Sequence, residues 1–367
     1  MKRVLFFVLL LVFSCSVLVF AEETITRFTY ESALETAVQN SIQPSLDDSN
    51  IRAKESALEK AKEDARDKGF IGGTLQQIVE NSILREVTPL EAETAIETAR
   101  RQKADNERVI KAEVYQEMMR VLLARDSVTL KEQKLELAEE KLKIDKIQYQ
   151  EGLIAEADII NEDLAISVDK LDLVKAQTQL KSNILDIKQR LHVDLGDENQ
   201  IAFDYKLDKV GTHYVLGFFN LNNAIDKAIA ADTSVYSKEK AIEYAQMKLD
   251  LTAERLKPGN DYYDKKVYEV EAAQKALYDA KTNLEVSIRN AHNDLLTALD
   301  ALELANKKLD LENSRLNTLK TKLNAGVISR RDMIDTEINV VSRKQEVLQA
   351  ICDFNVKNDV LRDLLGD

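Results

Sequence analysis

Apolar residues recur at every seventh position over two long stretches of this chain. Val114, Val121, Val128, Leu135, Leu142 and Tyr149 form the first stripe, and Ile288, Leu295, Leu302, Leu309, Leu316 and Leu323 form the second. A seven-residue period keeps every member on one side of an α-helix and lays that side along a partner at coiled-coil spacing. A glycine follows each stripe, Gly152 or Gly326, and then a further set of the same period. Ile159, Ile166, Leu173, Leu180 and Ile187 follow the first glycine; Met333, Val340, Val347, Phe354 and Leu361 follow the second. The single shift that carries Gly152 onto Gly326 relates all these pairs, so the pattern is an internal repeat.

The beginnings of the two halves match at a slightly larger shift, the one that brings Phe28, Ala33, Leu34, Ala37 and Val38 onto Phe219, Ala224, Ile225, Ala228 and Ile229. The difference between the two shifts lies between residues 38 and 114, where segment 69–89 has only "KPGNDYYD" (Lys257 to Asp264) as its counterpart. Each half predicts three helices, near 31–68, 90–150 and 156–193 in the first and 221–257, 265–324 and 330–364 in the second. Gly69, Gly72, Gly73, Pro89, Gly152 and Gly196, and later Pro258-Gly259, Gly326 and Gly366, supply the turn signals between them. Segment 197–218 joins the halves and is the one stretch that reads as β or irregular. The expected division is a leader at 1–21, a first three-helix repeat at 22–196, a connector at 197–218 and a second repeat at 219–367.

The long helix of the first half carries another stripe, Leu123, Leu130, Leu137 and Ile144, two positions out of phase with the first. At ~100° per residue it lies ~160° around the helix. Leu304 and Leu311 repeat it in the second half, weakened by Thr297 and Thr318. A helix with seams on nearly opposite sides sits between two neighbours, and a set of such helices closes into a ring. An ordinary bundle, whose inner helices carry wide apolar faces, fits the same stripes. The long helices should reach ~90 Å, and two short ones of ~55 Å match a long one end to end. Six staves cannot enclose a wide bore, so a ring requires several copies.

Composition agrees with an all-α chain of long antiparallel coiled-coil helices: 31% of the 367 residues are charged, three are proline and none is tryptophan. The first residues differ. Lys2 and Arg3 precede an apolar run from Val4 to Phe20, and Ala21 supplies the small residue of a secretory cleavage site. The run is slightly short of the ~20 residues of a membrane anchor. Cys15, after Val12-Phe13-Ser14, also forms a poor lipoprotein processing site. Loss of the leader takes the net charge from −13 to −15 and leaves Cys352 as the one cysteine, so no internal disulfide can form. Such acidity disfavours nucleic acid and anionic membrane surfaces as partners.

Chemistry-bearing motifs are lacking. His192, His213 and His292 are isolated and have no metal-ligand spacing, and the sequence has neither a phosphate-binding glycine loop nor a G-x-S-x-G elbow. Cys352 reads as a small core residue beside Phe354. Neither catalysis nor a cofactor or metal is expected.

The repeat, the F-x-x-x-x-A-[LI]-x-x-A entries at Phe28 and Phe219, the Gly-[LV]-Ile turns at Gly152 and Gly326, and the Leu-Gly pairs at Leu195-Gly196 and Leu365-Gly366 resemble the TolC family of outer-membrane efflux proteins. The resemblance covers nearly the whole chain after the leader. It implies a homotrimer that forms a TolC-like α-barrel in the periplasm and docks by its hairpin tips onto a periplasmic adaptor protein served by an inner-membrane pump. The matching tip residues are Gly152, Leu153 and Ile154, and Gly326, Val327 and Ile328. Carboxylates that narrow the entrance in the family map onto Asp332 and Asp335, with Asp158 and Asn161 in the first half. Carboxylates gathered near an axis repel one another, rise in pKa and attract cations. Ser329 followed by Asp332 also has the form of a helix cap.

The chain departs from the family at the opposite end. A membrane-spanning strand takes ~9–11 residues, so a hairpin needs more than ~20, which "KPGNDYYD" cannot supply. Segment 69–89 lacks alternation and predicts a short helix, Leu75 to Glu86. The expectation is therefore a barrel-less relative that spans the periplasm or cell envelope, with its outer-membrane association left open. Its expected role is a duct component of an export system; the alternative is a structural spacer or tether without a channel.

Overall fold

The computed structural model describes residues 24–67, 73–196, 199–208, 214 and 219–366. The leader, Cys15, Gly69, Gly72 and His213 lie outside the described residues. Nine helices and two short strands occur among the described residues. The first half contains β1 (Thr24–Phe28), α1 (Tyr30–Asn40), α2 (Gln43–Asp67), α3 (Leu75–Glu86), α4 (Thr88–Gln150) and α5 (Glu156–Arg190). The connector contains β2 (Asn199–Phe203), and the second half contains α6 (Leu221–Ala231), α7 (Thr233–Ala253), α8 (Asp261–Asn324) and α9 (Arg330–Leu365). This is the all-α, coiled-coil architecture that the heptads predict, with α4 and α8, of 63 and 64 residues, as its two long members.

The staves lie side by side. One side of α4 packs on α2 and then α5, its other side packs on α7 and α9, and α8 packs on α7 and α9 beyond them. Two opposed seams on α4 thus meet two neighbours. Leu130, from its second stripe, is 8% exposed.

The main core lies where α1 and the end of α5 meet the middle of α4. Phe28, Val114, Met118, Leu122, Ile187 and Phe203 pack there with Cys352 from α9. Burial pushes the Cys352 thiol up to about 11, which leaves it an inert core group. A second cluster gathers Ile225, Ile288, Leu295, Phe354 and Leu361 from α6, α8 and α9. Towards the glycine turns the core narrows to two small seams around Leu142 and Ile166 and around Leu316 and Val340.

The structure corrects four boundaries. The single first helix expected in each half is two helices, α1 with α2 and α6 with α7. Ser41 and Asp232, which hold equivalent places in the two repeats, both take extended backbone with ψ 141° and 130°. The Asp232 carboxylate accepts the Val235 N–H at 2.7 Å, and the Ser41 hydroxyl accepts that of Gln43 at 3.1 Å. These short polar side chains satisfy the donors that a new helix exposes, so the break costs little.

Strand β2 falls in the connector as expected, but its parallel partner β1 does not: Thr24 to Phe28 pairs with Asn199 to Phe203, Phe28 opposite Phe203. Helix α5 ends at Arg190, not near 193, with His192 in the left-handed region at φ 50°. His192 donates its N–H to Gln189 O, and Gly366 donates to Asp363 O, each at 3.1 Å. The structural counterpart of Leu365-Gly366, under the shift that relates the two glycine turns, is therefore Leu191-His192 and not Leu195-Gly196.

At the end remote from the glycine turns, α3 occupies Leu75 to Glu86 as expected and packs on α2, α4 and α7. Thr74 and Gln77 cap it reciprocally, and Val79 and Val87 are fully enclosed. In the second half the chain passes from α7 to α8 through Gly259, at φ 89°, and Asn260, which caps α8. Among the described residues, β1 and β2 are the only strands, and no β-hairpin extends from this end.

Buried Asp359 gives the fold a pH dependence. Burial raises its carboxyl to about 6; Arg362, whose Nη2 donates to Oδ1 at 3.1 Å, opposes the rise, and Asp363 adds to it. No hydrogen-bond partner among the described residues reaches its Oδ2. A native value above the ordinary one means that the folded state holds the proton more tightly. The stabilisation is complete at low pH and is lost as the pH rises through about 6. Denaturant unfolding should show the chain more stable at pH 5 than at pH 7 by on the order of 1–2 kcal/mol. Asp359→Asn should abolish that difference.

Candidate functional site: the paired hairpin tips

Both long helices end in the same turn. Gly152 at φ 74° and Gly326 at φ 72° take the left-handed conformation that costs glycine nothing. Gly152 donates to Tyr149 O at 2.9 Å and Leu153 to Gln148 O at 2.8 Å; Gly326 donates to Leu323 O and Val327 to Lys322 O, both at 2.9 Å. Each is a Schellman motif that satisfies the last carbonyls of its helix while the chain reverses. Leu153 and Val327 then stand 67% and 70% exposed, and Ile154 and Ile328 are half-buried beside them. An added Cβ at either glycine meets open space, so the requirement for glycine is one of backbone conformation.

The three carboxylates each have a partner within the chain. Asp332 forms a capping box with Ser329: its Oδ2 accepts the Ser329 N–H at 2.9 Å and hydroxyl at 2.8 Å. Those bonds hold the Asp332 carboxyl below the usual carboxylate range. In the first half Ala155 stands where Ser329 does, and Asp158 accepts only its N–H, at 3.2 Å. Asp335 pairs with Lys141 Nζ at 2.8 Å, and Lys141 also reaches Glu162 at 2.8 Å. Burial opposes the Lys141 charge, and the bonds to Asp335 and Glu162 outweigh it and raise its pKa.

The structure also brings together residues that sequence reasoning missed. Arg330 grips Glu140 on α4 through Nε and Nη2 at 2.7 and 2.8 Å and reaches Glu337 at 2.7 Å. The arginine's hydrogen bonds hold the Glu140 carboxyl low. Arg331 clamps the fully buried Asp145 of α4 through Nε and Nη2. With Lys141, these pairs bind the second tip to the flank of the first hairpin. The signal was present in the sequence: two arginines open α9, where the helix dipole disfavours cations, so each needs an anion from elsewhere.

Neither a protein-family model nor a curated protein matches the chain significantly. Solved structures do. The outer-membrane channel OprN superposes with a TM-score of 0.71 at 11% identity, over 92% of this chain and 89% of that one. The outer membrane protein VceC of Vibrio cholerae gives 0.67 at 8% identity, over 91% and 95%. The CmeC outer membrane channel of Campylobacter jejuni gives 0.66 at 10% identity, over 92% and 85%. The class that the fold defines is therefore the TolC-like helical fold of outer-membrane channels. Within that class this chain is a form without membrane strands among its described residues.

Proposed function

We propose that this chain is a periplasmic duct component of an export system, assembled as a homotrimer and docked through Gly152 to Ile154 and Gly326 to Ile328 onto a periplasmic adaptor with its inner-membrane pump. The observation that carries this reading is the pair of identical glycine turns, each presenting an exposed apolar residue, Leu153 or Val327, at the end of a long hairpin. Two such knobs per chain suit a partner's helical hairpin lying between them. Among the described residues no helix is long and apolar enough to cross a membrane, so a place in the periplasm or cell envelope rests on the leader and the fold.

The test is Gly326→Val. A β-branched residue at φ 72° is strained by roughly 1–2 kcal/mol, which opens the turn while the helices on either side persist. Capture of a candidate adaptor should fall at least tenfold with circular dichroism unchanged; undiminished capture would remove this tip from the docking surface. The end capped by α3 favours a second reading, an envelope spacer without a channel. A chain that stays monomeric and captures no adaptor would support the spacer.

A further inference from the structure

The connector and α6 lie against one face of α8 and α9, and the opposite face opens into a groove. Asn355 on α9 donates its side-chain N–H to Asp208 O of the connector at 2.8 Å, and Phe354 next to it packs in the cluster with Ile225 of α6. On α8, His292 Nε2 lies 3.3 Å from Tyr214 O of the same connector. Asp353 and Asp294 stand two positions from Asn355 and from His292. Residues two apart on an α-helix point ~160° away from each other, so both carboxylates project from the far face. There a groove of about 990 Å³ is lined by α4, α8 and α9, with α9 between the other two. Its apolar lining consists mainly of small side chains, Ala298, Ala301 and Ala305 on α8 and Ala350 on α9, with Leu304 standing 55% exposed among them. The small residues leave the room, and Leu304 offers apolar surface that gains by being covered. The volume falls within the ~300–1,000 Å³ of small-molecule sites.

Charge decides what suits the groove. Six charged residues line it, and five of them are matched. Lys357 meets Asp294 at 2.7 Å, Lys308 meets Glu346 at 3.6 Å, and Arg120 meets Glu117 at 2.6 Å. Asp353 has no cation among the described residues; it accepts only the Gln349 amide, at 2.9 Å. The one unmatched charge is therefore negative and stands over an apolar surface. We propose that this groove binds a lipophilic organic cation, with Asp353 against its positive centre and Ala301, Leu304 and Ala350 against its apolar body. An anion of the same shape would meet Asp353 with the wrong sign, and a neutral one would desolvate the carboxylate without compensation. The groove belongs to a single chain, so this site goes beyond the duct reading and does not depend on the number of copies.

The test uses tetraphenylphosphonium and tetraphenylborate, which share a shape and differ in the sign of their charge, in equilibrium dialysis against the purified mature protein. The phosphonium should bind saturably and about fivefold or more tightly than the borate. Asp353→Asn should remove that preference. Ala301→Trp, which fills the groove from an exposed position, should abolish binding of the cation with the urea midpoint unchanged. Asp300→Asn removes an exposed carboxylate of α8 outside the groove and should change nothing, which separates the site from the general attraction of an acidic chain for cations. No saturable binding, equal binding of the two ions, a preference that survives Asp353→Asn, or binding unaffected by Ala301→Trp would each overturn the proposal. Light scattering on the same samples reads the assembly separately: a monomer that binds the cation through Asp353 would overturn the trimer and keep the groove.

Discussion

Arg331→Ala is expected to destabilise the chain by about 3 kcal/mol, because it leaves a buried carboxylate without its partner. Asp145 has no exposed side-chain surface, whereas Arg331 is 30% exposed, which places the effect at the lower end of the range for a broken buried pair. The loss should appear as a lower midpoint in urea unfolding at pH 7. The double variant Asp145→Leu with Arg331→Ala should recover most of it, since it removes both charges together and installs the residue types found at the repeat-related positions Leu319 and Ala157. An Arg331→Ala variant as stable as the parent would mean that Asp145 finds water or another cation at no cost.

Phe354→Ala should cost about 3–5 kcal/mol in the same measurement. Phe354 is fully enclosed on α9 in the cluster with Ile288, Leu295 and Leu361, where α6, α8 and α9 meet. Its repeat counterpart, Leu180, is only half-buried beside the first core. Leu180→Ala should therefore cost clearly less, and equal costs would show that the larger cavity collapses. Phe354→Leu, which restores the residue type of the first half, should fall between Phe354→Ala and the parent.

Most of the architecture was legible because it rests on local period. A heptad is set by the residues of one helix, and a glycine required at positive φ is required by the turn itself. The long helices, both tips, α3 and the residues of the opposed seams could therefore be placed from the sequence. The break at Ser41 carried a signal that went unused, Pro44, which has no N–H for the Asn40 carbonyl and belongs in the first turn of a new helix; the break at Asp232 was missed because Asp232 does not interrupt helical periodicity. Strand β1 was missed because Thr24 to Phe28 is short and pairs with Asn199 to Phe203, a segment far along the chain. His192 concealed a helix end because its left-handed backbone is one that glycine would ordinarily mark.

The candidate site divides in the same way. By itself the sequence determined the helix-turn-helix tips, their duplication and the Ser329–Asp332 cap, because hydrogen bonds between near neighbours in the chain govern all three. Only the tertiary structure decided that Arg330, Arg331 and Lys141 tie the second tip to the first hairpin, and that Leu130 on α4 is buried while Leu304 and Leu311 on α8 and Ile160 and Leu164 on α5 stay exposed. Those outcomes depend on which staves become neighbours. A stripe states that a helix needs a partner on a given side; the three-dimensional arrangement of the whole chain settles whether that partner lies within it.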